Sequence, residues 1–203
     1  MTTGQVAWPA ADLVGGAPFL DLANTVGGRT KAREMDRLVS YPALVAWAQA
    51  AGVVSAAEAD TLFAAAAAGA AVAERCLQEV RAFREALYRL LSPMAAGRAP
   101  QETDLDQVNR AIAKACAAAR LAWTGKRFVR SVGLDDVGLE VILCRVALSA
   151  LRLLDAADLD RLRECERCSW LFFDRSKNGR RRWCRMDACG NRAKAERHYR
   201  KNG

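Results

Sequence analysis

Four cysteines near the C-terminus constrain this chain most. Cys165 and Cys168 are separated by two residues, Cys184 and Cys189 by four, and fifteen residues lie between the pairs, giving C-x2-C-x15-C-x4-C. Each close pair turns two sulfurs toward one point. Two such turns surround one tetrahedral ion, the donor set of a structural zinc site. Four thiolates leave no open coordination position, which argues against a catalytic metal. An iron–sulfur site uses the same ligands and stays open as an alternative. His198, the only histidine, is not needed as a ligand. Residues 161–203 are too few to bury a stable core alone, so a metal would supply the missing stability. Loss of a ligand is expected to unfold residues 160–203 and to spare the rest.

Charge separates the same segment from the remainder. Residues 161–203 hold 14 Lys and Arg against 5 Asp and Glu, whereas residues 1–160 hold 17 against 18. A zinc tetrathiolate carries −2, leaving the segment at about +7. Such asymmetry points to a phosphate-rich or acidic partner. The other three cysteines, Cys76, Cys116 and Cys144, lie among apolar residues. The start, MTTGQVAWPAAD, has neither a basic nor an apolar leader region, so a reducing cytoplasm is expected. The charge-free stretch from Leu38 to Ala57 is interrupted by Pro42, Gln49, Gly52 and two serines, so no membrane span is expected.

The rest reads as mainly helical. Residues 18–26 form a short helix with a polar face of Asp21, Asn24 and Thr25, ended by Gly27-Gly28. Ser40 caps a helix to Ala50, and Ser55-x-x-Glu58 is a capping box opening the next. Gly69 breaks that helix. Cys76, Leu77, Val80, Phe83, Leu87, Leu90, Leu91 and Met94 then recur at helical spacing until Gly97 and Pro100. Thr103 or Asp104 starts a further helix to about Ala118. ARLAW and KRFVRSV flank Thr124-Gly125 as one β-hairpin. A nearly uncharged helix over 136–155 is expected at the centre of the core or at a homodimer interface. The expected domains are 1–158, helical, and 159–203, a small four-cysteine zinc finger.

CERCSWLFFDRSKNGRRRWCRMDACGNRAKAERHYRK resembles the CGNR zinc finger, whose motif stands here as Cys189-Gly190-Asn191-Arg192. Ser169 follows Cys168 where that family commonly has glycine. Upstream, FLDLANTV, the Tyr41-Pro42-x-Leu44-x-x-Trp47 segment and REALYRLL resemble the ABATE domain. The resemblance implies a stress-related bacterial transcription regulator with a treble-clef-like or ribbon-like finger holding Zn²⁺.

In the finger, Asp187 is expected to cap a helix from Ala188 to Lys201. Cys189, Ala193, Glu196 and Arg200 would share its anchored face. Asn191, Lys194, His198 and Lys201 would face outward, with Arg197 at the edge. With Arg192 and the neighbouring Arg180, Arg181, Arg182 and Arg185, these are candidate nucleic-acid contacts. Bland roles stand beside that one: Gly190 and Asn191 can shape the knuckle, and Arg182 can pack on Trp183 or Trp170. DNA is the expected partner, with RNA or an acidic protein of the transcription machinery as alternatives. Asp21, Asn24, Thr25 and Arg29 are candidates for a small-effector pocket, or simply caps and core-edge hydrogen bonds. Trp8, Trp47 and Trp123 are read as core. No catalytic motif appears, and the single histidine, in the tail, removes Ser-His-Asp and Cys-His chemistry from the candidates.

Overall fold

The computed structural model describes residues 8–155 and 157–202. Among them, helices α1 (Pro18–Ala23), α2 (Tyr41–Ala50), α3 (Ala56–Ala68), α4 (Ala70–Ala95) and α5 (Glu102–Ala118) come first. An antiparallel pair, β1 (Arg120–Trp123) and β2 (Phe128–Ser131), follows. Then come α6 (Leu134–Val137), α7 (Val141–Leu154), a second pair, β3 (Leu162–Glu164) and β4 (Leu171–Phe173), and α8 (Asn191–Asn202). No single helix among the described residues is long and apolar enough to cross a membrane.

Local chemistry sets most boundaries. The Ser40 hydroxyl accepts from Ala43 N–H, and Ser55 and Glu58 form the reciprocal capping box. Gly69 is the joint between α3 and α4, which meet at a bend of 119°. The expected helix over 136–155 is two helices. Gly138 adopts φ +54, which breaks the chain between α6 and a 3-10 turn leading into α7.

α7 lies in the core. Val141, Ile142, Cys144, Val146, Ala147 and Ala150 are fully buried, against α5, α1 and α4. Its apolar surface is used within the protomer. Arg145 projects from it to the Val53 and Val132 carbonyls and to Glu58, whose carboxyl it holds down near 2. Trp47 is buried and Trp8 lies half-buried under Arg37, but Trp123 is 59% exposed, because its hairpin projects from the core instead of covering it.

The segment between α1 and α2 is fixed rather than loose. Val26 bridges Asp36, Gly27 N–H donates to the Met35 carbonyl, and Arg37 N–H donates to the Thr25 carbonyl. Arg84 of α4, only 3% exposed, forks onto both Asp36 oxygens at 2.7 and 2.9 Å and donates to the Thr25 hydroxyl. The outer part of the segment, 27–33, is thereby held out toward the C-terminal residues.

The β3–β4 pair joins the two parts of the chain. Side chains alternate across a strand. Leu171 and Phe173, with Leu162, belong to the main core, where Phe173 meets Phe19 edge-on at 6.5 Å. Trp170 and Phe172 point the other way, among the four cysteines. The outer edge of β4 is covered from α1. Asn24 donates to the Leu171 carbonyl and accepts from Leu171 N–H, both at 2.8 Å, and the Gly15 carbonyl accepts from Phe173 N–H. Asn24 thus supplies the two bonds that a neighbouring strand would supply.

Behind this edge, Asp21 accepts from Gly15 N–H, and burial pushes its carboxyl up to about 6. Unfolded, it titrates near 3.8, so between those values the folded state holds more protons and stability falls as pH rises. Asp21→Asn keeps an oxygen toward Gly15 without charge. It is expected to equal the wild type in stability near pH 4 and to exceed it by about 1–3 kcal/mol at pH 7 and above. Urea denaturation of the two proteins side by side checks this, since any acid loss of metal is common to both.

Candidate metal centre and the basic surface around it

The four cysteines converge. Cys165 and Cys168 lie between β3 and β4, where Cys165 N–H donates to the Trp170 carbonyl and closes the first turn. Cys184 precedes a π-helical turn, Met186–Gly190, that carries Cys189, with Gly190 N–H bonded to the Arg185 carbonyl. All four sulfurs lie within 4.8 Å of one another and are buried. The Cys168–Cys184 and Cys184–Cys189 separations are 3.7 and 3.6 Å. Zinc–sulfur bonds of about 2.3 Å in a tetrahedron place sulfurs about 3.8 Å apart, so the donor set fits zinc in number, type and spacing.

The thiols alone resist joint ionisation. Hydrogen bonding to Cys165, with burial, pushes the Cys168 thiol up, and bonds to Cys165 and Cys168, with burial, push the Cys184 thiol up as well. A cation is needed for four thiolates to coexist, and zinc would supply it. Backbone amides of Arg167 and Trp170 face Cys165 and Cys168. Arg192 donates to the Cys189 sulfur at 3.0 Å and to the Gly28 carbonyl at 3.2 Å. The arginine of the CGNR motif therefore steadies a ligand and ties it to the helical part.

The Gly27-Gly28 pair receives the first knuckle. Both have positive φ, and a Cβ at Gly28 would stand 2.7 Å from the Trp170 ring, one at Gly27 2.5 Å from the Ser169 hydroxyl. Trp170 Nε1 donates to the Val26 carbonyl, and Lys31 donates to Glu164 and to the Cys165 carbonyl. Arg175 reaches the Gly16 carbonyl.

The expected basic residues divide into two sets. Four brace the finger. Arg181 donates through its backbone to Asp174, through its side chain to the Trp183 and Cys184 carbonyls, and covers the Phe172 ring. Arg182 pairs with Glu166 and lies over Trp183, Arg185 pairs with Asp187 and Asp12, and Arg192 acts as described. Asp187 does not cap the helix; its carboxylate is taken by Arg185, and α8 starts after the π turn. The other set faces outward. Arg180, Lys194 and Arg197 are exposed with no side-chain partner among the described residues, and Asn191 is exposed with one bond to the Asp187 carbonyl. The side chain of Lys201 lies outside the described ones.

Asp21, Asn24 and Thr25 come together as a buried, internally bonded group at the β4 edge, Thr25 donating to the Leu22 carbonyl. Arg29 stands apart from them. It lines an open cleft of about 460 Å³ with Lys31, Arg167, Trp183, Arg197 and Arg200, in which Glu196 is shared by Arg167 and Arg200. Sequence reasoning missed the seam, although the run Trp170-Leu171-Phe172-Phe173 carried its signal: a strand apolar on both alternations is buried on both faces.

This arrangement defines a helical domain built around and onto a four-cysteine zinc finger. Residues 161–202 match the CGNR zinc finger, and residues 16–159 match the ABATE family, described as "Putative stress-induced transcription regulator". The chain belongs to the ABATE family, and its finger binds zinc. Comparison with curated proteins gives no match.

Three outcomes follow from the metal centre and its seam. Purified protein is expected to carry about one zinc per chain. Because β4 serves both cores, Cys184→Ser is expected to lower the stability of the whole chain, not of the finger alone. Helix melting by circular dichroism and zinc release to a chromogenic chelator should coincide in the wild type, and the variant should lack the zinc. Asn24→Ala strips Leu171 of both backbone partners and is expected to cost about 2–4 kcal/mol with zinc retained, measured by urea denaturation.

Proposed function

We propose that this protein is a transcription regulator that binds DNA through the outward face of its zinc-anchored helix. The observation that carries the reading is the pattern of partners. Arginines at the knuckles are consumed in bracing, whereas Arg180, Lys194 and Arg197 are left facing solvent around a helix fixed at its start by Cys189 and Arg192. Exposed cations beside a fixed helix start, with no side-chain partner among the described residues, suit phosphate oxygens. Arg29, across the cleft from Arg197, extends the same surface. One small finger reads few base pairs, so useful specificity calls for two copies of the chain or a partner. In this reading Asp21, Asn24 and Thr25 serve the docking of the finger, and no effector is assigned to them. The thiolate centre suits a reducing cytoplasm.

Fluorescence anisotropy on duplex DNA over a salt series tests the reading. With about four phosphates neutralised, log K is expected to fall with log salt at a slope of about −4. Lys194→Ala and Arg197→Ala should each flatten the slope by about 1 while zinc content stays unchanged. Absence of salt-sensitive binding to DNA, together with binding of an RNA or an acidic protein through the same side chains, would replace DNA as the partner.

A further inference from the structure

The β1–β2 hairpin has an unusual surface. Of nine large apolar side chains exposed among the described residues, three stand here: Leu121 at 75%, Trp123 at 59% and Phe128 at 68%. Residues directly opposite in an antiparallel pair share a face. The register pairs Trp123 with Phe128 and Leu121 with Arg130, so all three apolar groups lie on one side. The Trp123 and Phe128 ring centroids are 5.0 Å apart.

Charge says what kind of partner this face meets. Residues 119–132 contain Arg120, Lys126, Arg127 and Arg130 and no acid. Without those four, residues 1–160 hold 13 Lys and Arg against 18 Asp and Glu, so the hairpin is a basic island on an acidic domain. Among the described residues, Lys126 and the Arg127 guanidinium have no side-chain partner, and Arg120 reaches Asp136 only at 3.4 Å. A second copy of so cationic a ribbon is repelled, and an anionic partner is drawn in. Aromatic rings beside free cations suit nucleic acid, where rings meet bases or sugars and cations meet phosphates. A two-stranded ribbon also fits a major groove about 12 Å wide.

We propose that the β1–β2 hairpin is a second DNA-contacting element, with Lys126 and Arg127 on phosphates and Trp123 and Phe128 against the groove. The proposal rests on the DNA-binding reading and extends it from the finger to the helical domain. The full chain is assayed on duplex DNA as Trp123→Ala with Phe128→Ala, as Lys126→Ala with Arg127→Ala, and as the Lys194 and Arg197 variants. All variants should keep the zinc content and the helical circular dichroism of the wild type at the assay temperature, the aromatic pair losing only the cross-strand contact of the hairpin. The aromatic pair is expected to weaken binding about tenfold or more at fixed salt with its slope kept, and the cation pair to flatten the slope by about 2. If both hairpin variants bind as the wild type while the finger variants lose affinity, the hairpin proposal falls and the finger reading stands. The reverse pattern leaves the hairpin and removes the finger. No duplex binding by the wild type overturns both. Loss of binding to phosphatidylserine vesicles, or loss of a dimer in light scattering, with DNA affinity intact, reassigns the hairpin to a lipid surface or to self-association.

Discussion

The edge of β4 is where the chain becomes one object. A strand of three residues exposes backbone groups that must be paired or hydrated, and here a side chain and a loop carbonyl pair them. Asn24 reaches Leu171 with both ends of its amide, so the relation between α1 and the finger is fixed in register as well as in position. The Gly27-Gly28 cradle, the Arg192 bond to Gly28 and the Lys31 bond to the Cys165 carbonyl all depend on that alignment. The fork from buried Arg84 to half-buried Asp36 holds the other side of the same segment. A chain of charged and amide groups therefore runs from α4 through the 24–37 segment to the metal knuckle.

The surplus of positive charge in the last fifth of the chain is less available than its count implies. Arg181, Arg182, Arg185 and Arg192 spend their donors on carbonyls, carboxylates and a sulfur within the finger or its seam. Alongside the metal centre and the buried Trp170 and Phe172, planar guanidinium groups with several donors help to hold the finger's loops. What remains for an external partner is a smaller set whose positions are defined by the bracing set. In the proposed reading, the cations that would meet a partner stand beside those that hold the finger's loops.

Features governed by neighbours in sequence were legible. The capping box at Ser55 and Glu58, the joint at Gly69, the hairpin around Gly125 and the cysteine spacing all follow from short-range rules, and each stands where those rules put it. Features set by distant partners were not. Asn24 and Leu171 lie 147 positions apart, and nothing local to Asn24 distinguishes a strand-edge partner from a helix cap. Gly138 lies inside the apolar run, and its positive φ, which ends α6, leaves no mark in the neighbouring sequence. Trp123 reads as core because tryptophan usually is, whereas among the described residues no element covers the hairpin. Arg192 carries a motif name but no indication that its donors turn inward.

The strand with two inner faces also bears on descent and on engineering. Family boundaries divide the chain near residue 160, yet Leu171 and Phe173 fill one core while Trp170 and Phe172 fill the other. A finger of this kind is not a transferable cassette. Grafted elsewhere, it would present a raw apolar face and an open strand edge. Exchanged between relatives, it would need to travel with residues 15–28, its distant but obligatory counterpart. In this chain a change at one end of the seam therefore calls for a matching change at the other, so that two segments with separate family names act as a single folding unit.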